Sequence, residues 1–129
     1  MPASVLVVDD QPAMCLMLAE MLAREGYTVQ FAWRVEEAQA WVEGGAHFDI
    51  VVLDYMMPGI TGDKFADWLH ARSGSTRILF VTGYAADLSA VHPLQDEIEA
   101  VLEKPFTRAQ LLSAVSQMIP ADVSTGDSL

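Results

Sequence analysis

The sequence predicts an α/β fold: a doubly wound parallel sheet of five strands with helices on both faces. Three observations predict it. Short runs rich in Val, Leu and Ile recur along the chain, and several are apolar at every position, as strands buried on both faces are. Stretches with helical spacing alternate with these runs, which is the order of a βα repeat rather than of hairpins. The connections are short, so successive strands lie parallel with helices crossing between them.

Each element follows from local chemistry. Ser4 to Val8 is a Val/Leu run ending in Asp9-Asp10, a buried strand with two acids at its tip. Pro12 suits the first turn of a helix, which runs to about Glu25 and stops at Gly26. Its spacing predicts Met14, Met17, Leu18, Met21 and Leu22 on the core face. Tyr27 to Ala32 alternates as a second strand. Val35, Ala38, Trp41 and Val42 form the stripe of a second helix, closed by Gly44-Gly45. Phe48 to Asp54 is the third strand, and Pro58-Gly59 turns the chain out of the sheet. Gly62 to Arg72 is a third helix with Phe65, Trp68 and Leu69 on one face.

Arg77 to Thr82 forms the fourth strand, closing on Gly83. Ala85 to Val91 is ambiguous, and Pro93 limits any helix there to a short one. Glu99 to Glu103 is the fifth strand, leading into Lys104-Pro105-Phe106. Thr107 and Gln110 make a capping-box pair for a last helix carrying Leu111, Leu112, Val115 and Met118. Residues 120–129 form a short polar tail expected to fray. His47, His70 and His92 lack ligand spacing and read as surface or loop residues.

Composition narrows the function classes. The 129 residues suit one domain, and 52% hydrophobic content excludes a disordered tail. A formal net charge of −11 with no Lys/Arg cluster argues against nucleic-acid binding, which requires basic patches. No apolar run approaches the roughly 20 residues that cross a bilayer. With no basic segment before the first apolar run and a single Cys15, a cytoplasmic protein is expected.

Chemistry collects at strand ends. In an open α/β sheet, ligands bind beyond the carboxyl ends of the strands. Asp9 and Asp10 end the first strand, Asp54 the third and Thr82 the fourth, and Lys104 follows the fifth. Adjacent first and third strands bring three carboxylates together, and a cation or proton must relieve their repulsion. Hard oxygen donors without His or Cys suit Mg²⁺. Lys104 and Thr82 add a positive charge and a hydroxyl, completing a set for phosphoryl transfer to a carboxylate. Singly, each residue reads as an ordinary loop residue. Jointly they read as a site.

Four motifs carry a family resemblance: the Asp9-Asp10 pair, Leu53-Asp54-Tyr55-Met56-Met57-Pro58-Gly59, Val81-Thr82-Gly83 and Glu103-Lys104-Pro105-Phe106. Their spacing is 44 residues from Asp10 to Asp54, 28 to Thr82 and 22 to Lys104. In order and interval they resemble the receiver domain of two-component response regulators. The resemblance spans residues 4–119 and implies the flavodoxin-like strand order 2-1-3-4-5. It implies that Asp54 accepts a phosphoryl group from a histidine kinase or histidine phosphotransfer protein. Asp10, Asp54 and the Met56 backbone carbonyl would bind Mg²⁺, with Asp9 acting mainly through water. Thr82 and Lys104 would hold phosphoryl oxygens, and the Lys104-Pro105 bond would be cis. Met56 and Tyr84 would flank the site and slow hydrolysis.

One departure stands out. The family usually carries an aromatic residue three positions before the lysine as a switch, and here that position is Val101. The first helix carries Cys15, Leu16, Ala19 and Ala23 outside its expected core stripe, so Leu16 and Ala19 are candidates for docking the kinase. The expected protein is no enzyme beyond its own phosphorylation and dephosphorylation. It has no output domain after Ile119 and acts by protein contact or onward transfer, with its downstream partner and any dimer open. A receiver cut from a hybrid kinase or longer regulator is an alternative. So is a pseudo-receiver scaffold that is never phosphorylated. An aspartyl-phosphate hydrolase is disfavoured because Met56 stands where its second acid belongs.

Overall fold

A computed structural model describes residues 2–57, 59–83, 88, 92–94 and 98–119. Five strands, β1 (Ser4–Val8), β2 (Thr28–Ala32), β3 (Ile50–Asp54), β4 (Arg77–Thr82) and β5 (Glu99–Glu103), form one sheet in the order β2-β1-β3-β4-β5. Every pairing is parallel. The four described helices are α1 (Pro12–Arg24), α2 (Val35–Glu43), α3 (Gly62–Arg72) and α4 (Arg108–Met118). This is the doubly wound architecture the sequence predicts. Most of the expected short helix near Ala85–Val91 lies outside the described residues, as does the 120–129 tail. Among the described residues no helix is long and apolar enough to cross a membrane.

Successive strand residues face opposite sides of the sheet, and two cores result. Val5, Val7, Ile50, Val52, Leu79 and Val81 pack on α1 and α4. Leu6, Val8, Val51, Leu53, Ile78 and Phe80 pack beneath α2 and α3. All five residues of β3 are buried because a helical layer covers each face. At about 1.5–3 kcal/mol per buried aliphatic side chain, the central strands are the most firmly held part of the molecule.

The first helix departs from its predicted stripe. Its buried residues are Cys15, Leu18, Ala19 and Leu22, whereas Met17 is 41% exposed and Leu16 46%. Both sets fit a helical period. The smaller side chains face inward because they let α1 lie close to the sheet, with Cys15 Sγ 3.6 Å from the Ala32 carbonyl oxygen. Methionine's bulk is displaced to the flanks. The predicted capping box is present on α4: Thr107 Oγ1 accepts from the Gln110 N–H at 3.1 Å, and the Gln110 side chain accepts from the Thr107 N–H at 2.8 Å.

One glycine fixes where β3 ends. A Cβ on Gly62 would come within 2.9 Å of the Tyr55 Cα and 3.1 Å of the Asp54 carbonyl oxygen. Only glycine lets the start of α3 sit so tightly against the residues just after the strand, where the Gly62 N–H donates to the Tyr55 carbonyl at 2.9 Å. Asp54 therefore sits at a tip that the backbone holds from both sides.

Candidate functional site

Strand register brings the acids together. Val8 pairs with Leu53, so Asp9 and Asp54 each follow directly on a paired residue at adjacent tips. The carboxylates of Asp9, Asp10 and Asp54 offer oxygens that all lie within 4.8 Å of one another. Asp9 and Asp54 are buried and Asp10 is half-buried. Asp9 Oδ1 accepts the Gln11 N–H at 2.9 Å, while its Oδ2 is buried with no hydrogen-bond partner. Asp54 Oδ1 accepts the Met56 N–H at 3.3 Å and lies 3.8 Å from Lys104 Nζ.

The two polar partners arrive on one backbone link. Asp54 pairs with Val81, Thr82 pairs with Glu103, and the Lys104 N–H donates to the Thr82 carbonyl at 2.8 Å. Thr82 is buried, and the Lys104-Pro105 bond is cis. The sequence-selected residues Asp9, Asp10, Asp54, Thr82 and Lys104 thus share the C-terminal edge of the sheet.

Electrostatics sharpen the picture. Burial pushes the Asp54 carboxyl up to about 6, partly countered by the Lys104 ammonium and reinforced by the charges of Asp9 and Asp10. Asp9 is raised as well, again chiefly by burial, against the Gln11 N–H and Lys104 that hold it down. Lys104 alone does not neutralise the cluster. A second cation would. Oxygens around Mg²⁺ at about 2.1 Å stand about 3–4 Å apart, which suits three mutually close carboxylates with one oxygen buried and unpaired. The donor set is all oxygen, and the residues present fit that ion.

Other sequence expectations fare differently. Met56 is 58% exposed beside Asp54, and Tyr84 lies outside the described residues. Val101 is half-buried against the α2/α3-side core, paired with Phe80. Leu16 is exposed as a docking residue requires, but Ala19 is only 8% exposed and faces the core. No partner can reach it, for the reason that displaced the methionines. Met17 is exposed beside Leu16. Met17 also borders an apolar cleft with Met14, Lys104, Pro105 and Phe106.

Two features escaped the sequence. Trp33 and Arg34, just after β2, line a cleft of about 570 Å³ that also touches Asp10, Pro12, Val35 and Met57. The signal was present: they follow a strand ending on the same edge. The second is a correction. His47 is exposed, but His92 is 7% exposed and the His70 side chain 12%. His92 is buried and His70 half-buried, and Glu99 holds the Nε2 of each ring, at 2.9 Å and 3.0 Å. An acid on the inward face of a strand was the sign that buried donors had to exist.

Comparison with known proteins agrees with this geometry. The sequence matches the response regulator receiver domain over residues 5–116. It is 36% identical over 109 residues to the transcriptional regulatory protein TcrA of Mycobacterium tuberculosis, covering 84% of this chain and 43% of that protein. It is 35% identical over 118 residues to the sensor kinase CckA of Brucella abortus, covering 91% of this chain and 12% of that one. The chain therefore spans less than half the length of either. Among solved structures, response regulator TrrA of Thermotoga maritima, in complex with Mg²⁺ and BeF, superposes with a TM-score of 0.76 at 31% identity, covering 92% of this chain and all of that one.

Proposed function

The chain belongs to the response regulator receiver domain family, and from that premise we propose that residues 4–119 accept a phosphoryl group on Asp54 from a phosphohistidine of a histidine kinase or phosphotransfer protein. The observation that carries this reading is the juxtaposition of three close carboxylates with Lys104 Nζ 3.8 Å from Asp54 Oδ1. Asp10, Asp54 and the Met56 carbonyl would hold Mg²⁺, with Asp9 reaching it mainly through water. Bound there, the ion supplies positive charge to the phosphoryl oxygens.

The residues then divide the work. A carboxylate oxygen of Asp54 attacks phosphorus; the P–N bond to the donor imidazole breaks, and its electron pair stays on that nitrogen. The Lys104 ammonium and Thr82 hydroxyl hold phosphoryl oxygens, whose charge is developed where water is scarce. A protonated carboxyl is not nucleophilic, so the rise of Asp54 to about 6 confines reaction to pH above that value unless a cation offsets the site's charge. Leu16 and Met17, exposed on α1 beside the cleft at Pro105 and Phe106, form the surface that would receive the donor's helices. The signal then leaves by protein contact or onward transfer.

The test is direct. Incubation with acetyl phosphate and MgCl₂ should add one labile phosphoryl mass to the wild type and none to Asp54→Asn. No gain, or equal gain in both, overturns the reading.

A further inference from the structure

A second buried polar cluster lies one strand length from Lys104, at the opposite end of β5. Glu99 is the first residue of that strand, and its side chain is fully buried. His70 Nε2, from the last turn of α3, lies 3.0 Å from Glu99 Oε2, and His92 Nε2 lies 2.9 Å from Oε1. Each carboxylate oxygen therefore takes one imidazole, and both are paired when the rings carry their proton on Nε2, which leaves His70 Nδ1 as a buried acceptor with no partner among the described residues. Among the described residues only the Asp9/Asp10/Asp54 group is compact enough to hold an ion. Glu99 is a bracket, not a metal site.

What it brackets matters for the absent aromatic at 101. His92 sits on the chain between β4 and β5, and its N–H donates to the Leu88 carbonyl at 2.8 Å, with Leu88 fully buried in the same core. The His92 ring meets Phe80 edge-on, 5.3 Å between centroids at 66°. Phe80 and Thr82 share one face of β4, Glu99 and Val101 share the same face of β5, and Phe80 pairs with Val101. Phe80, His92, Glu99 and His70 are thus successive members of one packed row, and Thr82 follows Phe80 two residues on along the same strand face.

We propose that Glu99, gripping His92 and His70, clamps the β4–β5 connection to β5 and α3, and that through Phe80 this clamp couples the connection to Thr82. It occupies the role that a ring at position 101 would fill, in which an aromatic side chain changes place as the threonine moves. The clamp itself stands on the geometry above; its link to Thr82 rests on the phosphoacceptor reading of Asp54. A rearrangement that moves the β4 backbone at Thr82 towards a phosphoryl group carries Phe80 on the same strand. The His92 ring, held by a carboxylate that also holds α3, must then follow Phe80 or part from it.

The full chain tests this with ¹⁵N-labelled histidine and amide hydrogen exchange, free and with Mg²⁺ plus beryllofluoride as the phosphoryl mimic. In wild type, the His92 ring signals should report an Nε2 proton and shift when the mimic binds. Glu99→Gln keeps the volume but offers one acceptor where two N–H groups each need one. Amides of 88–98 should then exchange about tenfold faster in the free protein and lose most of their response to the mimic. Affinity for the mimic should stay within about threefold of wild type, since Glu99 opens β5 at the end of the sheet away from the acidic edge. His70→Gln, which spares the His92 arm, should give an intermediate exchange rate. Wild-type exchange rates in both variants, or His92 signals indifferent to a bound mimic, overturn the proposal. Failure of wild type to bind the mimic overturns the Asp54 reading instead, and the clamp is still decided by exchange in the free protein.

Discussion

Two groups of buried acid sit at opposite ends of the same sheet, and they are solved in opposite ways. At the C-terminal edge, Asp9, Asp10 and Asp54 crowd within 4.8 Å, with one Asp9 oxygen unpaired and Lys104 too distant for a hydrogen bond to Asp54. At the start of β5, both oxygens of the fully buried Glu99 are taken by imidazoles. Burying a carboxylate is costly unless its oxygens are paired. The paired Glu99 carboxylate therefore contributes to the fold, whereas the three crowded carboxylates, one Asp9 oxygen of which has no partner among the described residues, cost stability in the absence of a cation.

That contrast makes opposite forecasts for neutralising substitutions. The largest effect is on chemistry: Asp54→Asn should abolish phosphoryl uptake entirely, whereas Glu99→Gln should leave uptake by acetyl phosphate within about threefold of wild type, because Glu99 lies at the opposite end of the sheet from Asp54. Intact-mass spectrometry distinguishes them, and comparable losses in both would erase the comparison. On stability the order reverses. Glu99→Ala removes two hydrogen bonds to a buried charged group and should cost about 3–5 kcal/mol in denaturant unfolding, at roughly 1.5–3 kcal/mol for each bond. A cost under about 1 kcal/mol would show that the bracket carries no load.

A third forecast concerns the ion. Mg²⁺ binding to the folded state alone should raise stability by about 2.7 kcal/mol at a concentration one hundred times its dissociation constant. Asp10→Asn should remove most of that increment, and Glu99→Gln should keep it. An equal Mg²⁺ effect in Asp10→Asn would move the cation away from the acidic edge.

Much of this was legible in the sequence, and the reason is physical. Fully apolar runs such as Ile50-Val51-Val52-Leu53 have no other comfortable place than the middle of a covered parallel sheet. Once such runs are ordered with the two more polar strands into one parallel sheet, the acids at their ends must share an edge. Thr107 and Gln110 announced their helix start because capping is a local interaction. The failures were all contacts between distant parts of the chain. Which face of α1 turns inward depended on how closely Cys15 and Ala19 let it approach the sheet, so Ala19 read as a docking residue when it is core. Glu99 and its two histidines are 29 and 7 residues apart in sequence. No local spacing joins them, although an acid on the inward face of β5 could have prompted a search for donors.

The smallest forecast is also the one that separates the two acid groups by pH alone. Asp54 has its carboxyl raised to about 6, above the 3.8 of an unstrained Asp, mainly by burial. A carboxylate raised on folding binds its proton more tightly in the native state. The native protein therefore holds more protons than the unfolded chain between those values, and stability rises as pH falls through about 6. Above that range the ionised group costs stability, on the order of 1–2 kcal/mol after relaxation of the site and screening by salt. Metal-free protein should accordingly gain that amount between pH 7.5 and pH 4.5 from this residue, with Asp9, raised in the same direction, adding to it. Asp54→Asn should be more stable than wild type at pH 7.5 by a similar amount, and the advantage should fade as pH falls. Mg²⁺ should cancel it, because the ion offsets the charge that Asn removes. Chemical denaturation across that pH range reads the result: an Asp54→Asn variant no more stable than wild type at pH 7.5 would mean that Lys104, at 3.8 Å, already balances the cluster, and that the acidic edge is as satisfied as Glu99.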